Sequence, residues 1–395
     1  MRATVLNDPA LAKDAGRFAW LSINTEESRN AAFVETLGVE AYPTFLVLDG
    51  TTGKVALRWA GSLTKPEFER LLDDGERAVA GPGSTRSGPA SGGAKSAAAS
   101  GRSGADAALA RADRLGAEKK MDEAAAAYAE TLQNAPAAWA GRGRAVNSLL
   151  AALQKTGNLE ECASVARRET PGLERGPAFA AASAAGLGCA LEAPESASWR
   201  AGALKDLEPL VVESLALDNV LADDRSSAYG TLVDLRDARG DEAGAKEMAG
   251  RWLTFLESQA AAAKSVEARA AFDSHRVAAA LALGDPGRAV PALLASEKDL
   301  PDDYNPPARL AILYRELGRF DEALTESQRA LDLAYGARKL RIFDARADIY
   351  AKKGDKAAAK RTLEDALTYA ETLPKSQQPQ GLIASLRKKA AAIAS

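Results

Sequence analysis

Any chemistry in this chain rests on few side chains. Cys162, Cys189 and His275 are the only two cysteines and the only histidine among 395 residues. The cysteines stand 27 positions apart and form no Cys-x-x-Cys pair. A closed tetrahedral zinc site needs four ligands, which this set does not supply. Both cysteines fall in helical stretches, LEECASVARRE and AAGLGCALEA. Free cysteines commonly behave as small buried apolar residues, so two buried thiols are the first expectation. A structural disulfide is the second, gaining weight in an exported protein, and a redox pair is the third. His275 lies in AAFDSHRVAAALALG, with no Ser or Cys nucleophile and orienting acid beside it, and is expected to be packed or solvated. Gly186-Leu187-Gly188 and Gly141-Arg142-Gly143 follow no strand and lack the Lys-Ser/Thr of a phosphate loop. No catalytic residue, metal ligand or cofactor site is assigned to this chain.

The bulk composition narrows the partners. At 395 residues the chain exceeds one compact core, so two or more units are expected. Alanine is abundant and aromatic residues make up only 6%, which favours closely stacked helices. A net charge of -3 argues against a nucleic-acid partner, which needs a clustered positive surplus. No run approaches the length of about 18 apolar residues that a membrane span requires. The start, MRATVLNDPALAKDAGRF, has no basic stretch followed by an apolar one. The cytoplasm is therefore expected for the chain as written, and the periplasm or another exported location if a signal segment precedes Met1.

Three territories position these residues. In 1–80, RFAWLSIN (17–24) reads as a buried strand and Glu26 to Leu37 as a helix stopped by Gly38. Thr44 to Leu48 and Lys54 to Trp59 read as strands joined by a Gly-containing hairpin, and Lys65 to Val79 as an amphipathic helix. Trp20 and Trp59 are expected in the core of this part. Residues 81–104, rich in Gly and Ser, read as a flexible linker spanning roughly 27 Å. From 105 to 395 a Gly that ends one helix is followed five residues later by Ala, at Gly240/Ala245, Gly284/Ala289, Gly318/Ala323 and Gly354/Ala359. Ala124, Tyr128 and Pro136 suggest one more hairpin upstream, and 137–225 reads only as degenerate hairpins. GLIASLRKKAAAIAS, at the end of the chain, reads as a capping helix.

That period, near 34 residues, resembles the tetratricopeptide repeat, with Leu310, Ala311, Tyr314, Gly318, Ala323 and Ala330 at its signature positions. The resemblance implies an all-α helical solenoid whose first helices line a concave groove for protein or peptide partners. The matching groove positions are Arg309, Arg341, Asp344 and Asp348. They carry mixed charge, without the Lys-Asn pattern that grips a C-terminal carboxylate.

VEAYPTFLVLDGTTGK (39–54) and the elements after it resemble the thioredoxin-like fold. Tyr42, Pro43 and Thr44 correspond to the cis-proline loop of that family's substrate groove. The reactive cysteine pair of the family is missing, and so is its central strand. The segment from Met1 reads as the remainder of the cysteine-bearing helix, which predicts a true start further upstream. The fold expected is thus an α+β/α two-domain chain, a partial thioredoxin-like α/β unit followed by the repeat solenoid. The function expected is a protein-interaction scaffold. A thiol–disulfide oxidoreductase is the alternative if an upstream segment supplies a Cys-x-x-Cys.

Overall fold

The computed structural model describes residues 6, 8–25, 27–37, 44–60, 65–80, 96–117 and 120–394, with two strands and eighteen α-helices among them. Grouped by contacts, the chain forms two compact units, Met1–Ser84 with Ser258–Ser395, and Thr85–Glu257.

In the first unit, a short 3-10 turn (Ser28–Asn30) leads into α1 (Ala31–Leu37). Strands β1 (Thr44–Leu48) and β2 (Val55–Ala60) pair antiparallel, with Phe45 opposite Trp59 and Val47 opposite Leu57. Asp49 holds the turn, accepting from the Thr51 N–H and the Thr52 hydroxyl, each at 2.8 Å. Helix α2 (Lys65–Ala80) buries Phe68, Leu71 and Leu72 together with Leu11, against Phe18, Phe45, Leu57 and Trp59. Hairpin and helix therefore follow the expected pattern.

Residues 17–24 do not. They form no strand, and Trp20 and Leu21 are 49% and 77% exposed. The physical reason lies in their partners. Among the described residues the sheet holds β1 and β2 alone, so no ladder is offered to this segment. The Arg17 guanidinium instead reaches Asp14, Asp73 and Glu76 at 2.7–2.9 Å, which fastens the segment to α2. Among the described residues two strands are seen where the thioredoxin-like resemblance implies a larger sheet, and Gly38, Tyr42 and Pro43 lie outside the described residues.

The second unit carries α3 (Ser96–Ala117), α4 (Met121–Asn134), α5 (Arg142–Lys155), α6 (Leu159–Glu169), α7 (Pro177–Glu192), α8 (Arg200–Ser214), α9 (Ala222–Ala238) and most of α10 (Glu242–Ala261). Helix α3 begins inside the segment read as a linker. Trp139 donates to Asp106 at 2.8 Å and Trp252 to Ser226 at 2.6 Å, so both indoles pack between helices with their N–H satisfied. Cys162 on α6 and Cys189 on α7 are fully buried and joined in a disulfide, with Cα atoms 6.2 Å apart. The expected pair of free thiols is corrected by this bond. Gly186 explains why the two helices can come so close. A Cβ there would lie 2.2 Å from the Ala166 Cβ, so this glycine serves packing and not a phosphate.

The first unit resumes with α11 (Val266–Ala270), α12 (Asp273–Leu283), α13 (Val290–Asp299), α14 (Asn305–Glu316), α15 (Phe320–Leu333), α16 (Arg338–Lys353), α17 (Lys356–Thr372) and α18 (Gln380–Ala394). Leu310, Ala311, Leu313, Tyr314 and Ala323 share one core with Val277, Leu293 and Ile349, and Leu340, Leu363, Ala366 and Leu386 form the next. Three hydrogen bonds join the N-terminal part to this group of helices. Gln377 donates to the carbonyls of Thr25 and Glu27 at 3.1 and 3.2 Å, and Asn24 to the Tyr335 hydroxyl at 2.6 Å, so the N-terminal part is docked on these helices.

One turn recurs in both units. Gly157, Gly240, Gly284, Gly318 and Gly354 all have φ between 69° and 90°. After each, the next N–H bonds five residues back: Asn158 to Leu153, Asp241 to Arg236, Asp285 to Ala280, Arg319 to Tyr314 and Asp355 to Tyr350, at 2.8–3.0 Å. This is a Schellman-type helix end, which needs a left-handed residue and so favours glycine. Five residues after each glycine stands a buried small residue: Cys162, Ala245, Ala289, Ala323 or Ala359. The Gly157 hairpin belongs to this series although its sequence reads as degenerate.

Candidate protein-interaction face

Helices α14 and α16 are first helices of consecutive hairpins, and α18 follows the second. On α16, residues 344, 348 and 352 recur every four positions and so share a stripe. Their side chains meet charges from both neighbouring helices. Lys352 reaches Glu316 of α14 at 2.6 Å, and Arg315 of α14 lies 3.6 Å from Asp348. Lys389 of α18 contacts Asp344 at 2.6 Å and Asp348 at 3.1 Å. Arg315 also holds Glu316 at 2.8 Å. The six groups form one chain of alternating charge across three helices.

Electrostatics in this chain is mutual. The Lys352 hydrogen bond, opposed by partial burial and helped by Arg315, holds the Glu316 carboxyl below its ordinary pKa. Partial burial pushes Lys389 down, but its hydrogen bonds to Asp344 and Asp348 outweigh that and hold its ammonium above its ordinary pKa. Exposed pairs of this kind contribute roughly 0–1 kcal/mol each to stability. What they do well is fix side-chain geometry and set which charges a partner meets.

Of the residues expected in the groove, Asp344 and Asp348 lie in the ladder and Arg341 is exposed on the same helix. Arg309 is only partly exposed. Burial lowers its pKa against the pull of Asp273, Asp303 and Tyr304, and among the described residues no ion pair joins it to the ladder. Thr44 opens β1 opposite Ala60, and its loop neighbours Tyr42 and Pro43 lie outside the described residues. Sequence reasoning missed Arg315, Glu316, Lys352 and Lys389. The four-residue recurrence of 344, 348 and 352 was a usable signal, but their partners on other helices become visible only in space. His275 is half-buried on α12. Among the described residues no group of three His, Cys, Asp or Glu side chains is arranged to hold a metal ion, and no helix is long and apolar enough to cross a membrane.

Residues 304–372, which span α14 to α17, match the tetratricopeptide repeat family. No curated protein matches the chain. Among solved structures, a tetratricopeptide repeat protein from Parabacteroides merdae is 13% identical, over 73% of this chain and 98% of that one, with a TM-score of 0.45. The TPR2AB-domain:pHSP90 complex of yeast Sti1 is 18% identical, over 73% and 99%, with a TM-score of 0.27. YrrB, a TPR protein with an unusual peptide-binding site, is 16% identical, over 48% and 85%, with a TM-score of 0.28. Residues 304–372 therefore carry tetratricopeptide repeats, an assignment that rests on the family match.

Proposed function

We propose that this chain is a non-enzymatic scaffold that binds a protein or peptide along the α14–α16–α18 face, through the ladder from Arg315 to Lys389 and the exposed Arg341. The observation that carries the reading is the alternating charge held across three helices. A partner gains there by exchanging ion pairs the face already makes, so its own charges must alternate, and its binding weakens with salt. A partner bearing a single block of one charge would leave half the ladder unmatched. Along the sequence the proposed division is a thioredoxin-like portion at 1–80, a Gly/Ser-rich tether at 81–104 and repeats at 105–395.

In support of the thioredoxin-like reading of 1–80 stand the β1–β2 hairpin and the helix α2 that covers it. Thiol–disulfide exchange needs an accessible, low-pKa thiolate. Cys162 and Cys189 are both bonded and buried, so the oxidoreductase alternative needs cysteines that this sequence does not contain. The same disulfide favours an oxidising compartment over the cytoplasm.

The test places a photo-crosslinking residue at Arg341 on the proposed face and, in a second variant, at exposed Arg361 on α17. A discrete crosslinked partner is expected from position 341 and not from 361, with yield falling as salt rises. Equal yields at both positions, or none at 341, would reject this face.

A further inference from the structure

Helices α13 and α15 are the second helices of neighbouring hairpins, and their seam holds an acid pair. Glu297 of α13 is 8% exposed, and its Oε1 lies 2.9 Å from the Arg329 Nη1 of α15. Glu326 precedes Arg329 by three residues, nearly one helical turn. Its Oε2 is shut from solvent and accepts no hydrogen bond among the described residues. From α14, Tyr314 faces the same acids, with Arg319 stacked over its ring at 4.4 Å, and Arg319 in turn pairs with Glu322 of α15. Two carboxyls thus share a seam in which one guanidinium, Arg329, is paired with Glu297. Two carboxyls, one buried and the other half-buried with one oxygen shut from solvent, set beside one guanidinium favour holding a proton between them over ionising twice.

We propose that this seam is a proton-operated latch: Glu326 carries a proton that it donates to Glu297, closing α15 onto α13, and loss of that proton leaves two carboxylates facing one guanidinium and loosens the hairpins. The hydrogen bond to Glu297 would also satisfy the buried Oε2 of Glu326. In agreement with this geometry, burial first, and then the hydrogen bond and charge of Glu297, push Glu326 up to about 7, against the opposing pull of Arg329. The consequence has a definite sign. A carboxyl whose folded pKa exceeds its unfolded value binds its proton more tightly when folded, so stability falls as pH rises from the unfolded value near 4.5 to about 7, and is flat above. The latch stands independently of whether the ladder face binds a partner.

Urea unfolding of the full chain at about pH 5 and about pH 7.5, for the native protein and Glu326→Gln, tests the latch. Gln keeps the shape and a permanent donor, so it should remove this group's share of the decline. The two values alone would give a rise roughly sixtyfold larger for the native protein than for the variant across this interval, and the partial exposure of Glu326 reduces the expected excess to roughly tenfold or more. Equal rises would overturn the proposal. Carbon-13 NMR titration of the glutamate carboxyls gives a second reading that does not depend on the variant folding. One carboxyl should titrate near neutrality, moving down in Glu297→Gln and up in Arg329→Met. If every carboxyl titrates in the ordinary range, or the two variants shift it the other way, there is no latch.

Discussion

The hairpins α5–α6 and α14–α15 are built on one turn yet are held in different ways. Gly157 and Gly318 share the left-handed conformation, and the N–H that follows each makes the same bond five residues back. In α14–α15 the small buried residue is Ala323, and packing completes the hairpin. In α5–α6 it is Cys162, tied to the next helix by a disulfide. The repeat thus demands a small side chain at this position and tolerates a covalent one. The difference teaches that a repeat can drop out of its sequence signature without leaving its geometry.

Breaking the covalent version should have the largest effect. Closing a loop of 27 residues corresponds to about 3.5 kcal/mol of stability in the chain-entropy account of disulfides. Cys162→Ala with Cys189→Ala should remove roughly that amount in urea unfolding, with the earliest loss of hydrogen-exchange protection in α6 and α7. Exchange that instead opens first in α14 and α15 would mean that the two hairpins do not differ in the way described.

Two glycines sharpen the comparison because they are needed for different reasons. Gly186 sits where α7 meets α6, and a Cβ there would stand 2.2 Å from the Ala166 Cβ. Gly186→Ala must push the helices apart, at a cost of about 2–3 kcal/mol for overpacking. Gly318 has nothing within 4 Å of a Cβ but a φ of 74°. Gly318→Ala meets only the left-handed penalty, about 1–2 kcal/mol. Thermal melting of the two variants should rank them in that order. If Gly318→Ala proves the more damaging, the turn matters more than the close approach.

Legibility in the sequence followed the source of each feature. Hairpins whose signals lie within one segment, such as Tyr304 to Leu333, could be read because glycine, alanine and aromatic positions recur at fixed offsets. The strands at Thr44–Leu48 and Val55–Ala60 were legible for the same local reason. The stretch 17–24 misled because its apolar pattern fits a strand, whereas strand formation depends on a neighbour, and Arg17 commits the segment to α2. The disulfide was open to either reading, because whether 162 and 189 meet depends on how α6 packs on α7. The ladder was half legible: Asp344 and Asp348 fall on one stripe of α16, but Lys389 joins them from 41 residues beyond Asp348.

The smallest expected effect tests whether the ladder serves stability or recognition. Glu316 and Lys352 stand 2.6 Å apart but both reach solvent, so a double-mutant cycle with Glu316→Gln and Lys352→Met should give a coupling of only about 0.2–0.5 kcal/mol. That coupling should shrink further in high salt. Its pH dependence has the opposite sign to that of the acid pair. The Glu316 carboxyl is depressed chiefly by the Lys352 hydrogen bond, so its contribution is complete above the unfolded glutamate value and fades as pH falls through the lower folded one. If the pair acts mainly in recognition, Lys352→Met should leave melting almost unchanged while lowering the crosslinking yield at position 341. A coupling well above 1 kcal/mol would instead make the ladder a structural clamp, and the α14–α16–α18 face would lose its claim to the partner.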